Sequence, residues 1–195
     1  MEKVISIKKY FEPSIEERDQ LVKDIFHSKN IHDDAVNSSG VSTNFEVIED
    51  RNDICKKLYE KFLQTSKDIF GNITLDSRNS DACYCLCTNK DYWESVPHDH
   101  LRTSTINAVY YLQVPKVNGE YCGKIRFLNN YGEWESYQPE PFEMLIMPNY
   151  LVHDTEYHDT EEWRISLNLE IICEHGGDDI SNFVNPRRYE DCDEC

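Results

Sequence analysis

Five segments with the texture of β-strands, and no helical period between any two of them, fill the chain from residue 82 to residue 172. Residues 82–88, 105–114, 124–128, 143–147 and 163–172 are rich in β-branched and aromatic side chains. Turn signals such as Asn118-Gly119 and Tyr131-Gly132 fall between them. A parallel sheet needs a crossover, usually a helix, between successive strands. None is available here, and no Gly-rich phosphate loop is present, so nucleotide-binding α/β folds are excluded.

Upstream of residue 72 the period changes. Ser14 and Glu17 have the spacing of a capping box, in which each side chain satisfies a free amide at a helix start. Ile15, Leu21, Val22, Ile25 and Phe26 then follow a helical stripe. Residues 37–40, Asn-Ser-Ser-Gly, read as a turn. A second helix is expected from about residue 53 to residue 70. Ile54, Leu58, Phe62 and Leu63 lie on one face of it, and Gly71 stands in the cap position. Two helices followed by short strands form an α+β pattern, in which the helices back one face of a β-sandwich or jelly roll.

With 195 residues the chain is expected to form one domain over residues 1–175. It comprises a helical support over about 10–72 and a β-core over about 73–173, followed by an acidic, disordered tail over 176–195. The 20 basic and 37 acidic residues give a formal charge of −17, which disfavours nucleic acid as a partner. No apolar run approaches ~18 residues, the length of a membrane span, and the first residues lack the apolar core of a secretory signal. A cytoplasmic protein with reduced cysteines is expected. In Cys83-Tyr84-Cys85-Leu86-Cys87 the alternation is that of a strand packing small side chains on one face. Cys192 and Cys195 have zinc-site spacing but no second pair to complete four ligands. Nothing in the sequence reports oligomeric state.

Among the seven histidines, His27, His32, His158 and His175 lie in polar contexts that predict exposure. His98, His100 and His153 differ. His98 and His100 are two apart, so an extended backbone sends both rings to one face. His153, 55 residues further on (153 − 98), sits at a strand edge after Pro148. Three such rings can make a three-cornered metal face with open positions. In 163–170, alternation puts Arg164, Ser166 and Asn168 on one face and Ile165, Leu167 and Leu169 on the other. Arg164 offers a planar fork suited to a carboxylate. The alternative is a solvent-facing strand with Arg164 paired to Glu162 or Glu170.

The order His98-x-His100, a Val109-Tyr110-Tyr111-Leu112 strand, His153, and Arg164-x-Ser166 eleven residues later (164 − 153) resembles the Fe(II)/2-oxoglutarate-dependent dioxygenases. The likeness is to small prolyl-hydroxylase-like and phage-type members, and it spans about residues 81–172. It implies a double-stranded β-helix, the cupin-like jelly roll. It also implies Fe(II), 2-oxoglutarate and O2, with ascorbate as an accessory reductant. His98 and His153 would ligate iron. Tyr111 would hydrogen-bond a 2-oxoglutarate carboxylate, Arg164 would pair with the distal carboxylate beside Ser166, and Asn107 would line the pocket.

The departure from the usual pattern is at position 100, where His replaces the carboxylate ligand. Asp99 would serve only if the backbone turned sharply, so a three-histidine site of His98, His100 and His153 is expected. The implied reaction is hydroxylation of a peptide side chain or small molecule, with release of succinate and CO2. Two alternatives stay open: a three-histidine cupin-type metal dioxygenase without 2-oxoglutarate, and a non-catalytic binding module on the same fold. The loops at Trp93 and at 129–138, with Tyr131, Trp134 and Tyr137, are expected to flank the mouth. They would suit a peptide side chain, a cationic or neutral small molecule, or a saccharide.

Overall fold

The computed structural model describes residues 4–27, 53–71, 73–77, 79, 83–93 and 96–175, together with the backbone of 31–37 and 40–43. In chain order the elements are β1 (Ile5–Ile7), α1 (Ile15–Ile25), β2 (Ile31–Asn37), β3 (Gly40–Thr43) and α2 (Asp53–Phe70). There follow β4 (Thr74–Leu75), β5 (Cys83–Thr88), β6 (Ile106–Gln113), β7 (Lys116–Val117), β8 (Glu120–Tyr121) and β9 (Ile125–Leu128). The last are β10 (Trp134–Tyr137), β11 (Met144–Pro148), β12 (His153–Thr155), β13 (Arg164–Ile171) and β14 (Cys173–His175).

The capping box forms as expected. Ser14 Oγ accepts from Glu17 N at 3.2 Å, and Glu17 Oε2 accepts from Ser14 N at 2.9 Å. Leu21 and Ile25 are fully buried, whereas Ile15 is 71 % exposed. At 3.6 residues per turn, Ile15 lies about 100° round the helix from the midpoint of Leu21 and Ile25, outside the packed arc. Gly71 closes α2 at φ +81°, a left-handed conformation that glycine adopts without a Cβ penalty, and its amide donates to Lys67 O.

A seven-stranded antiparallel sheet, ordered β1-β11-β6-β13-β5-β3-β2, faces a three-stranded sheet ordered β10-β9-β12. An isolated bridge between His98 and His153 continues the small sheet beyond β12. Strict alternation decides what each face of the large sheet carries. Cys83, Cys85, Cys87, Ala108, Tyr110, Leu112, Ile165, Leu167 and Leu169 pack outward with Leu21 and Ile25 of α1 and with Ile54, Leu58 and Phe62 of α2. Val109, Tyr111, Leu145 and Met147 turn inward against Ile125 and Phe127 of the small sheet. The helices therefore back one face, and the jelly-roll interior lies behind the other.

The cysteines of β5 are core residues, and burial holds the Cys85 thiol well above its ordinary value. The span expected as helical support also contains β2 and β3, which extend the large sheet through β5. β2 pairs with its sequence neighbour β3, Asn37 opposite Gly40, whereas the link of β3 to β5, Val41 opposite Cys87, is distant in sequence and local pattern does not reveal it. At the opposite edge Glu143, with no side-chain exposure, accepts from Ser6 Oγ (2.5 Å), Lys8 Nζ (2.8 Å), Tyr137 OH (2.5 Å) and Glu140 N (2.8 Å), which ties β1 to β11. Among the described residues no helix is long and apolar enough to cross a membrane. The acidic tail, with Cys192 and Cys195, lies outside the described residues.

Candidate metal centre and anion pocket

Strand geometry brings His98 and His153 together directly. Each amide donates to the other's carbonyl, at 3.1 Å and 3.0 Å, and their ring centroids are 4.5 Å apart. After His98 the chain leaves the sheet. His100 N donates to Asn149 O at 2.7 Å, and the amides of Thr103 and Ser104 both donate back to His100 O at 3.1 Å. Asn149 Nδ2 in turn donates to Ser104 O at 2.8 Å, locking the turn. His98 and His100 thus converge through one bridge and one turn, not through a regular strand. Asp99 Oδ1 accepts from Leu101 N at 3.1 Å, and its carboxylate stands outside the cluster.

One ligand nitrogen from each of His98, His100 and His153 falls within 4.8 Å of the others. Every ring uses Nδ1 for support: His98 donates to Val96 O, His153 donates to Leu151 O, and His100 meets Glu170 Oε1, each at 2.8 Å. Nε2 is left as the metal-facing nitrogen on all three. Burial, then His98 and His100, lower the pKa of His153 to about 3, so its ring is neutral with a lone pair to give. Three imidazoles converging in this way fit a divalent first-row metal such as iron.

A cavity of about 250 Å³ runs from His98 and His153 between the sheets, lined also by Tyr84, Leu86, Val109, Ile125, Asp154, Thr155, Arg164, Ser166 and Asn168. Register explains the lining. Tyr84 pairs with Asn168, and Leu86 and Tyr111 both flank Ser166, so their side chains share the inward face. The register of β13 on β6 shifts between Ile165 and Ser166, and Arg164 beyond the shift still lines the cavity.

Arg164 is 1 % exposed. Its Nε donates to Gly123 O at 3.1 Å, Nη1 donates to Ser166 Oγ at 3.3 Å, and the guanidinium lies 4.9 Å over the Tyr111 ring. No carboxylate pairs with it among the described residues, so the expected alternative of Glu162 or Glu170 is not realised. The Tyr111 hydroxyl and the side-chain amide of Asn107 are buried without partners among the described residues. Burial pushes the Tyr111 phenol up to about 12, with Arg164 offsetting some of the rise. A buried cation beside an orphaned hydroxyl is an arrangement completed by an anion.

His158 is not exposed as its context suggested. It is 3 % exposed and its Nε2 lies 3.4 Å from Thr88 Oγ1, because the segment after β12 folds back over the Arg164 end of β13. Burial and the neighbouring Arg164 lower its pKa. Sequence reasoning also missed Glu170 as a site residue. The available signal was its place in the alternating series Arg164, Ser166, Asn168, Glu170.

Trp93 Nε1 donates to the backbone oxygen of the cavity-lining Thr155 at 2.8 Å, and its ring meets Tyr157 edge-on at 5.4 Å. Trp134 lies under Arg126, which grips the cavity-lining Asp154 through two hydrogen bonds. Tyr137 is turned instead to Glu143, because that buried carboxylate needs its hydroxyl.

No protein-family model and no curated protein matches the sequence. Solved structures do match. One is the non-haem α-ketoglutarate-dependent carbocyclase SnoK from nogalamycin biosynthesis, over 95 % of this chain and 89 % of that one, at TM-score 0.67 and 7 % identity. Another is a prolyl hydroxylase from Trichoplax adhaerens, solved with a hypoxia-inducible-factor peptide, over 87 % of this chain and 83 % of that one, at TM-score 0.61 and 15 % identity. A third is HygX from Streptomyces hygroscopicus, solved with nickel, 2-oxoglutarate and hygromycin B bound, over 85 % of this chain and 81 % of that one, at TM-score 0.63 and 14 % identity. The chain therefore has the double-stranded β-helix fold that these structures share.

Proposed function

We propose that this chain is an Fe(II)- and 2-oxoglutarate-dependent oxygenase acting on a small molecule or a peptide side chain. The observation that carries the reading is a single cavity that meets two of three convergent imidazoles, His98 and His153, at one place and a buried guanidinium, without a carboxylate partner among the described residues, at another. A dicarboxylate with a metal-chelating keto-acid end answers both. His98, His100 and His153 are the proposed ligands. Arg164 is the proposed partner of the distal carboxylate, with Ser166 and Tyr111 adding hydroxyls and Asn107 further polar lining.

Fe(II) bound there, with 2-oxoglutarate and O2, supplies the oxidising chemistry for hydroxylation of a substrate C–H bond, with succinate and CO2 as co-products. The chain's own role is to bind, orient and exclude water. Arg164 sets the register of the co-substrate because its planar fork accepts one carboxylate orientation. The neutral His153 ring keeps its lone pair for the metal. Trp93 and Tyr157 on one side of the opening, and Trp134 stacked on Arg126 on another, offer aromatic surfaces to a bound peptide or ring-bearing small molecule.

A three-histidine dioxygenase without 2-oxoglutarate would give the buried Arg164 no ligand, and a non-catalytic module would need no convergent Nε2 atoms. The test is succinate formation by protein reconstituted with Fe(II), 2-oxoglutarate and ascorbate, first alone and then against peptides, amino acids, aminoglycosides and nucleosides. Slow succinate release without substrate, stimulated by one class, is expected. Iron binding with no 2-oxoglutarate turnover under any condition would favour the first rival. Failure to bind Fe(II), Co(II) or Mn(II) would favour the second.

A further inference from the structure

The three imidazoles are not supported alike. His98 and His153 each lean on a backbone carbonyl two residues back, whereas His100 leans on a carboxylate. Glu170 comes from β13 and is largely buried with His100, their side chains being 17 % and 8 % exposed. The same carboxylate also accepts from the Thr103 hydroxyl at 3.2 Å. No lysine or arginine pairs with it among the described residues, so its charge is directed at the ring of His100.

We propose that Glu170 is a positioning residue that supplies, through His100, the negative charge a directly bound carboxylate provides in a two-histidine, one-carboxylate site. The inference rests on the metal-site reading above. A carboxylate on Nδ1–H fixes the tautomer that frees Nε2 and makes the ligating nitrogen more basic. The charge count points the same way. Three neutral imidazoles leave a divalent ion uncompensated, and one carboxylate a single ring away restores the negative charge that His100 in place of Asp or Glu removes. The substitution at position 100 and the carboxylate at position 170 then form one device, with the anion moved outward by one imidazole.

The test measures Co(II) affinity of the full chain by chelator competition, without co-substrate, in the parent, Glu170→Gln, His100→Asp and the double variant. Gln keeps the shape and loses the charge. Outer partners of metal-bound histidines are worth about 10–100-fold in affinity, so Glu170→Gln should weaken Co(II) binding by about tenfold or more in the parent. In the His100→Asp background, where Glu170 would face a second carboxylate, the same change should have no effect or tighten binding.

A change of less than about twofold in the parent, or an equal loss in both backgrounds, overturns the proposal while leaving the metal site standing. A parent that binds no Co(II), or binds it equally after His98→Ala and His153→Ala together, overturns the metal-site reading itself. One measurement needs no variant at position 170, namely ring-nitrogen NMR of the Zn(II)-loaded parent. His100 should ligate through Nε2 with Nδ1 protonated, and ligation through Nδ1 overturns the proposal.

Discussion

A guanidinium buried to 1 % exposure with no carboxylate beside it lowers stability until an anion arrives, and Arg164 is that group. Its replacement by Ala should raise the half-saturation for 2-oxoglutarate by about 100-fold, roughly 3 kcal/mol for lost charge-assisted hydrogen bonds. Co(II) affinity should stay within about twofold, since the metal-facing rings are carried by other segments. Equal half-saturation in variant and parent would remove Arg164 from the site. This residue was singled out in the sequence because it heads the polar face Arg164, Ser166, Asn168 of a strand whose other face is apolar. Glu170 and His158 were not. Alternation puts Glu170 on the Arg164 face, but its pairing with His100 depends on the turn after His98, and the burial of His158 depends on the return of the segment after β12; periodicity does not encode these long-range placements.

At the scale of elements, Gly123 holds φ +72° just before β9, and an added Cβ would sit 3.0 Å from Arg164 Cδ and 3.1 Å from His158 Cδ2. Gly123→Ala should therefore cost about 1–2 kcal/mol of stability and also raise the 2-oxoglutarate half-saturation, as paired urea titrations and co-substrate titrations would read. Glu143 ties the first strand to β11. Burial pushes its carboxyl up, but Lys8, Ser6 and Tyr137 outweigh that and hold it below the ordinary 4.5. Its contribution is present above the unfolded value and is lost as pH falls through the lower folded value. Parent and Glu143→Gln should differ in melting temperature near neutral pH and converge below about pH 4.5; a constant gap would refute the tie. Five strands, four of them of five to eight residues, and both helices were readable because alternation or helical period persists along them, and in four-residue β9 because of its apolar Ile125 and Phe127. The pieces missed, β4, β7, β8, β10, β12 and β14, run to two to four residues, too few for alternation to stand out. β1 was missed because its partner lies far away, with Ile5 opposite Ile146.

For the molecule as a whole, the large sheet with its helices forms a scaffold, and the small sheet closes over the cavity. Beyond β12 the small sheet ends at the isolated bridge of His98 and His153. Two hydrogen bonds at a sheet edge open readily on their own. Here they join the two residues whose rings face each other across the proposed metal position, so opening the backbone bridge would also pull the His98 and His153 rings apart. The amide protons of His98 and His153 should accordingly trade with deuterated solvent quickly when the protein is stripped with a chelator, and many times more slowly once Co(II) is added. The amides of β6 deep in the large sheet should hardly change. Equal protection of the bridge amides with and without metal would contradict the coupling. Isotope uptake at those two positions would then report occupancy of the centre, before any substrate is known.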